Sequence, residues 1–347
     1  MKETVYDFTI ELNWKLLSDV SKLDRFDASW SSIEKTEGQS LKQLKEVATV
    51  ESVGASTRIE GSKLSDAQVQ ELIKKIDITK LDDRDSQEVV GYFNVLDVVT
   101  ESYLDIEIAT SSLKNLHNLL LKLSQKDDRH RGDFKQHENA VQATFPDGSS
   151  QIIFKTTEPG ITTTDAITKL IKWYHQKKEV HPLIVAAAFV YEFLSIHPFQ
   201  DGNGRLARIL TTLLLLKSGY KWIEYVSFEH EIENHKKEYY KVLRNCQAQR
   251  PEEEITEWIN FFIKSLLNIQ SKLDKKIETV SMNKDLSPKE KLVLTYILNN
   301  PGCRSGQIAQ NTNISKPTVK RIITHLLANK LIKKFGIKAG TNYSATA

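Results

Sequence analysis

The chain has 347 residues, 40 % of them hydrophobic and 27 % charged, with a formal net charge of +3. That length favours two or three domains over one, and that composition excludes global disorder. Two cysteines, Cys246 and Cys303, are too few for a disulfide framework and lack the paired spacing of a zinc site, so a reducing compartment is expected. The start carries no apolar signal stretch, and the most apolar run, Leu183 to Leu194, is broken by Glu192 and too short to span a bilayer; the expected setting is cytoplasmic, with no membrane partner.

Taken in chain order, helical periodicity dominates and predicts a mainly α fold. Amphipathic runs cover Ser40 to Glu60, Ser65 to Ile76 and Ser86 to Leu104, each opened by a serine able to cap the first turn, and Gly61 is placed to end the first of them. A further helix fits Ser111 to Leu123, and a polar loop follows through Gly132. Between Ala140 and Thr157, two short apolar stretches flank a turn at Pro146-Asp147-Gly148-Ser149, which predicts one β-hairpin with an unpaired edge. Helices are then expected over Thr164 to Lys177, Pro182 to Ile196 and Arg205 to Leu216, the last two apolar nearly all round and therefore central.

Toward the C-terminus, Asn268 to Asp285 reads as a connecting helix that frays into a linker. The remaining stretch from Leu286 holds ten Lys or Arg against the single acid Glu290, a local charge of +9, while residues 1 to 285 carry 38 basic and 44 acidic residues. Such asymmetry points to a polyanion-binding or acid-surface-binding appendage on a mildly acidic body. Helical patterns from Ser287, over Ser305 to Asn311 and over Pro317 to Lys330 form a helix-turn-helix, and Leu331 to Tyr343 resembles the wing of a winged helix. Thr318, Lys320, Arg321 and Thr324 are candidates to face a major groove, with Lys333, Lys334 and Lys338 near phosphates; residues 305–343 are thus a candidate DNA surface, with protein docking the alternative.

The most informative segment is the loop between the two apolar helices, His197-Pro198-Phe199-Gln200-Asp201-Gly202-Asn203-Gly204-Arg205. Two glycines let successive N–H groups point one way, and a helix N-terminus follows, which together form a cradle for phosphate. Arg205 and Arg208, three apart on the first turn, can grip outer phosphates, and Asp201 offers the hard oxygen that Mg²⁺ takes. His197 can accept a proton near neutral pH. So varied a chemistry in one loop between buried helices argues against a merely structural turn.

This string, HPFQDGNGRLAR, resembles the signature of the Fic family, and every fixed position matches. The resemblance covers roughly Ser86 to Leu243. It implies a Fic helical core with a small β-hairpin flap and a protein adenylyltransferase that moves AMP from ATP to a Ser, Thr or Tyr hydroxyl of a target protein. It further implies that His197 is the base, that Asp201 holds Mg²⁺, and that Gly202, Asn203, Gly204, Arg205, Leu206, Ala207 and Arg208 bind the nucleotide, with Phe199 anchoring the loop. The hairpin at 140–157 is similar to the flap on which a target segment docks. The flap exit Thr157-Glu158-Pro159-Gly160 departs from the expected Pro-Pro, and Lys135 stands where arginine is common.

Upstream, Ser56-Thr57-Arg58-Ile59-Glu60-Gly61 is similar to the family's inhibitory motif, which implies that Ser56 and Glu60 restrain the enzyme through Arg208. The run from Glu233 to Leu243 is similar to the helix behind the nucleotide, with Tyr240 chosen over Tyr239 for the adenine side. A homodimer is allowed by the resemblance alone. The expected organisation is an N-terminal helical region with an inhibitory helix (1–85), the Fic core (86–267), a linker (268–285) and a winged helix-turn-helix domain (286–347). The rival functions are a nucleotide-sensing transcriptional regulator and an enzyme that removes AMP from modified protein.

Overall fold

A computed structural model of the protein describes residues 8–36, 38–76, 81, 83–144, 150–177, 179–281, 286–336 and 340–346. The fold is mainly helical, as the periodicity predicts, with two small antiparallel sheets among the described residues. One hydrophobic core gathers residues from Leu16 to Ile277, and a second, separate one gathers Leu286 to Ile332.

The first core is built around two helices, α7 (Pro182–Ile196) and α8 (Asn203–Lys217). Every residue of α7 from Leu183 to Ile196 is buried, which is where a run apolar on all sides must lie. Pro182 at the first turn costs no hydrogen bond, and His181 caps the end by accepting from the Leu183 N–H. Around this pair pack α1 (Trp14–Thr36), α2 (Gly38–Ile59), α3 (Asp66–Lys74), α4 (Arg84–Ser102), α5 (Thr110–Leu120) and α6 (Ile161–Gln176), followed by α9 (Phe228–Asn234), α10 (Lys236–Gln247) and α11 (Thr256–Ser281). Helix α1 is additional to the sequence reading. Its stripe Leu16, Val20, Leu23, Phe26 and Trp30 is buried, and Asn13 caps it by accepting from Leu16 N–H.

Serine capping holds at Ser65, which forms a reciprocal capping box with Gln68. It does not hold at Ser86, because Asp83 caps α4 by accepting from the Ser86 N–H. The expected helix through Glu233 is two helices that meet at His235, and the expected linker helix is the end of the long α11. Residues 282–285, the hairpin turn at 146–149 and Lys338 lie outside the described residues.

The hairpin pairs β1 (Ala140–Thr144) with β2 (Ser150–Lys155), with an irregularity between Val141 and Gln142. The C-terminal unit consists of α12 (Pro288–Asn299), α13 (Ser305–Thr312), α14 (Lys316–Ala328), β3 (Ile332–Phe335) and β4 (Asn342–Ala345). Tyr343 on β4 also bridges to Cys303, which completes a winged-helix arrangement. Helix α12 packs along α2, so α2 is covered by the first core on one side and by the winged unit on another.

Candidate active site

The loop between α7 and α8 is held in shape by its own residues and by α5. His197 follows the last turn of α7 with φ 53, and Gly202 precedes α8 with φ 77, the left-handed geometry that glycine adopts without strain. The Asn203 side chain accepts from Phe199 N–H at 2.9 Å and donates to Phe199 C=O at 2.7 Å. Its side-chain amide is thus spent on fixing the loop, at the position where the resemblance implies a phosphate contact. Phe199 is fully buried and stacks on His117 with ring centroids 3.8 Å apart.

His117 was not singled out from the sequence, yet it ties two loops together. Its Nδ1 accepts from Gly132 N–H at 2.9 Å and its Nε2 donates to Asp201 C=O at 3.0 Å. Lys135 does comparable work at the foot of the hairpin, with only 1 % of its surface exposed. Its ammonium donates to Asn139 Oδ1 at 2.9 Å, Thr156 Oγ1 at 2.8 Å and Ile196 C=O at 3.1 Å, so both ends of the hairpin are joined to the residue before His197. Burial among these neutral acceptors pushes Lys135 down to about 8.

His197 opens onto a cavity of about 1240 Å³ walled by the loop, the end of α2 and α10. Its Nδ1 faces Leu194 C=O at 3.4 Å, a contact that places the proton on Nδ1 and leaves Nε2 as the acceptor. Burial pushes the imidazole down to about 4, and the Lys135 ammonium adds to this, so the ring is neutral at physiological pH.

Two arginines lie at the start of α8, where the first N–H groups of a helix have no partners within it. Arg208 is almost fully buried and donates from Nε to Ser56 Oγ at 2.8 Å, and from Nη2 to Ser56 C=O at 3.0 Å and Glu60 Oε1 at 2.7 Å. Gly204 lies beside the same carboxylate: a methyl group there would meet Glu60 Oε1 at 2.5 Å. Burial works against the charge on Glu60, but Arg208, with Arg205 behind it, outweighs this and holds the carboxyl below the usual range. Glu60 thus covers the first turn of this helix with its carboxylate. Ser56 and Glu60, picked out far upstream in the sequence, meet Arg208 here.

Arg205 is turned inward, with Nη2 3.2 Å from Asp201 Oδ1 and Nη1 3.4 Å from Glu88 Oε1; its Nε has no hydrogen-bond partner among the described residues. The Asp201 carboxylate also accepts from Gly202 N–H at 2.6 Å and lies 3.4 Å from Lys126. Among the described residues no group of three or more His, Cys, Asp or Glu could hold a metal, and Asp201 is the one carboxylate in the 197–205 loop. Leu206 and Ala207 are fully buried and do not line the cavity. Both Tyr239 and Tyr240 line the cavity; Tyr240 is partly exposed there, whereas Tyr239 is buried and packs against Trp258.

Three comparisons with known proteins place the two units of the chain among described families. Residues 106–215 match the model of the Fic/DOC family, and residues 284–335 match that of the MarR family. The protein adenylyltransferase Fic of Drosophila melanogaster is 25 % identical over 211 residues, which make up 58 % of this chain and 40 % of that protein; the counterpart in Drosophila yakuba is 25 % identical over 207 residues, 58 % of this chain and 39 % of that one. The chain thus spans about 40 % of the length of the curated relatives it matches. Among solved structures, a Fic family protein from Desulfovibrio desulfuricans G20 superposes with a TM-score of 0.65 at 20 % identity, over 98 % of both chains. Fic-1 from C. elegans gives 0.56 at 20 % identity, over 75 % of this chain and 74 % of that one. The chain carries a Fic domain followed by a MarR-type winged-helix domain.

Proposed function

We propose that the protein transfers AMP from ATP to a hydroxyl side chain of a target protein and is restrained by its own Glu60. The observation that carries this reading is the Glu60–Arg208 ion pair at 2.7 Å, set over the bare Gly204 at the mouth of the cavity that His197 faces. A cationic helix end that the chain covers with its own carboxylate is an anion site under internal competition.

With nucleotide bound, the His197 Nε2 takes the proton of the target Ser, Thr or Tyr hydroxyl. The hydroxyl oxygen then bonds to the α-phosphorus as the bond from that phosphorus to the bridging oxygen breaks, and pyrophosphate leaves. Asp201 is the residue that would hold Mg²⁺, which typically needs one or two carboxylates with phosphates and water, and which would neutralise charge on the phosphates. Arg205 and Arg208 would take the outer phosphates once released from Asp201 and Glu60, and Tyr240 would flank the adenine. The hairpin at 140–157 is the proposed dock for an extended target segment.

The test uses ATP labelled either in the α- or in the γ-phosphate. Glu60→Gly is expected to take up α-label faster than the parent, γ-label is expected on neither, and His197→Ala is expected to take up none. Transfer of γ-label, or equal α-labelling in all three proteins, overturns the reading.

The exposed Lys320, Arg321 and Thr324 on α14, with Lys333 and Lys334 on the wing, favour duplex DNA as a second partner of the same chain.

A further inference from the structure

Glu60 lies just past the end of α2, in a tightened turn where Glu60 N–H bonds to Thr57 C=O at 3.1 Å and Gly61 N–H to Arg58 C=O at 3.1 Å. The placement of its carboxylate therefore depends on what fixes this last turn. The residue that does most of the fixing is Arg58, which occupies a variable position of the motif and touches neither His197 nor Arg208. Its Nε donates to Glu233 Oε1 at 2.7 Å and its Nη2 to Glu233 Oε2 at 3.0 Å, a forked pair across to the end of α9. Its Nη1 donates to Asp66 Oδ1 at 2.8 Å, in the first turn of α3, and to Leu64 C=O at 3.1 Å. One side chain thus joins three elements around the turn that presents Glu60. Lys236, at the start of α10, adds a second tie by donating to Ile59 C=O at 2.7 Å.

A separate observation points the same way. Gly54 lies inside α2, where glycine weakens a helix relative to alanine. A methyl group at that position would meet Asp66 Oδ1 at 2.5 Å and Arg58 Nη1 at 2.6 Å. The bare helix surface at Gly54 is the berth of the Arg58 guanidinium and its Asp66 partner.

We propose that Arg58 is a positioning residue for the restraint: its forked pair with Glu233, seated over Gly54 and backed by Asp66, fixes the last turn of α2 so that Glu60 stays on Arg208, and loosening this latch frees AMP transfer. The proposal rests on reading Glu60 as the restraint. Glu233 also lines the cavity, so the anchor of the latch faces the space in which nucleotide and target meet.

The test is α-label uptake by the full chain. Arg58→Ala and Glu233→Ala are each expected to raise the initial rate roughly five- to thirtyfold over the parent, the range that one or two lost interactions give. Arg58→Lys is expected to fall between, because an ammonium cannot make the forked pair. In a Glu60→Gly background, Arg58→Ala is expected to add nothing, since both act on one device. Gly54→Ala carries the same expectation of faster labelling while favouring the helix, so it answers the question should Arg58→Ala fold poorly. If Glu60→Gly labels fast but Arg58→Ala and Gly54→Ala label no faster than the parent, the latch is wrong and the restraint stands. If Arg58→Ala accelerates labelling equally with and without Glu60, the latch is also wrong. If Glu60→Gly itself gives no gain, the reading of Glu60 fails first.

Discussion

His197 opens the loop between α7 and α8 and His117 packs against it, and burial pushes each imidazole down to about 4. The unfolded chain binds these protons near 6.5, so between about 6.5 and 4 it holds more protons than the folded one, and stability must fall as pH drops through that window. Urea midpoints measured across it are expected to decline with falling pH, and the decline is expected to shrink in His117→Phe, which keeps the stack on Phe199 without the titrating ring. A flat profile in the parent would contradict the burial argument. Glu60 behaves oppositely: held below its ordinary 4.5 by Arg208, it stays charged under mild acid, so acidification toward pH 5 is not expected to mimic Glu60→Gly in labelling assays. At this scale much was legible. His197, Asp201 and Arg208 announce themselves because charged and polar residues with two glycines between apolar helices have few structural uses, whereas Glu60 stands out only through the resemblance of residues 56–61 to the Fic inhibitory motif. His117 was not legible, because one histidine on the buried leucine face of α5 is indistinguishable in sequence from a packed core residue. The spent amide of Asn203 was hidden for a similar reason: a sequence shows a side chain's capacity to bond, not the partner it has already taken.

The hairpin and the loop after α7 behave as one element because Lys135 bonds both hairpin ends and Ile196. Replacing it by methionine leaves buried acceptors without a donor, a loss of about 1–3 kcal/mol in unfolding free energy. Lys135→Met is expected to show that loss by chemical denaturation, together with faster amide exchange in the β2 strand; unchanged values would mean that the hairpin stands without the lysine. Lys135→Arg, which keeps a cation with several donors, is expected to retain most of the stability. Element bounds were readable where the pattern is extreme. The α7 helix begins at Pro182 because proline suits a first turn, and it ends at the left-handed His197. The break at His235 was not readable, since Glu233 to Leu243 keeps an unbroken helical period on either side of it. Helix α1 was overlooked although Asn13 and the stripe from Leu16 to Trp30 carry the usual signals, diluted by polar residues on the remaining faces.

For the whole molecule, the decisive arrangement is the burial of α2. Every residue from Ser52 to Thr57 is buried, and α12 of the winged unit packs along the same helix. Lys74 Nζ on α3 also reaches Asn311 Oδ1 on α13 at 2.8 Å. No periodicity could have foretold this, because an apolar stripe says that a face is covered and not by what. The basic C-terminal stretch was visible as charge, and its exposed lysines on α14 and the wing give a testable property. Affinity for a duplex is expected to fall linearly with the logarithm of salt concentration, and Lys320→Ala and Arg321→Ala to lower that slope by about one each where they meet phosphates. Binding that ignores salt would assign the surface to a protein partner. The catalytic claim is tested most directly by intact mass spectrometry of Glu60→Gly after incubation with ATP and Mg²⁺, beside Glu60→Gly carrying His197→Ala. The expected result is a covalent mass gain equal to AMP in the first protein alone; no gain in either, or the same gain in both, would contradict a hydroxyl attack on the α-phosphate assisted by His197.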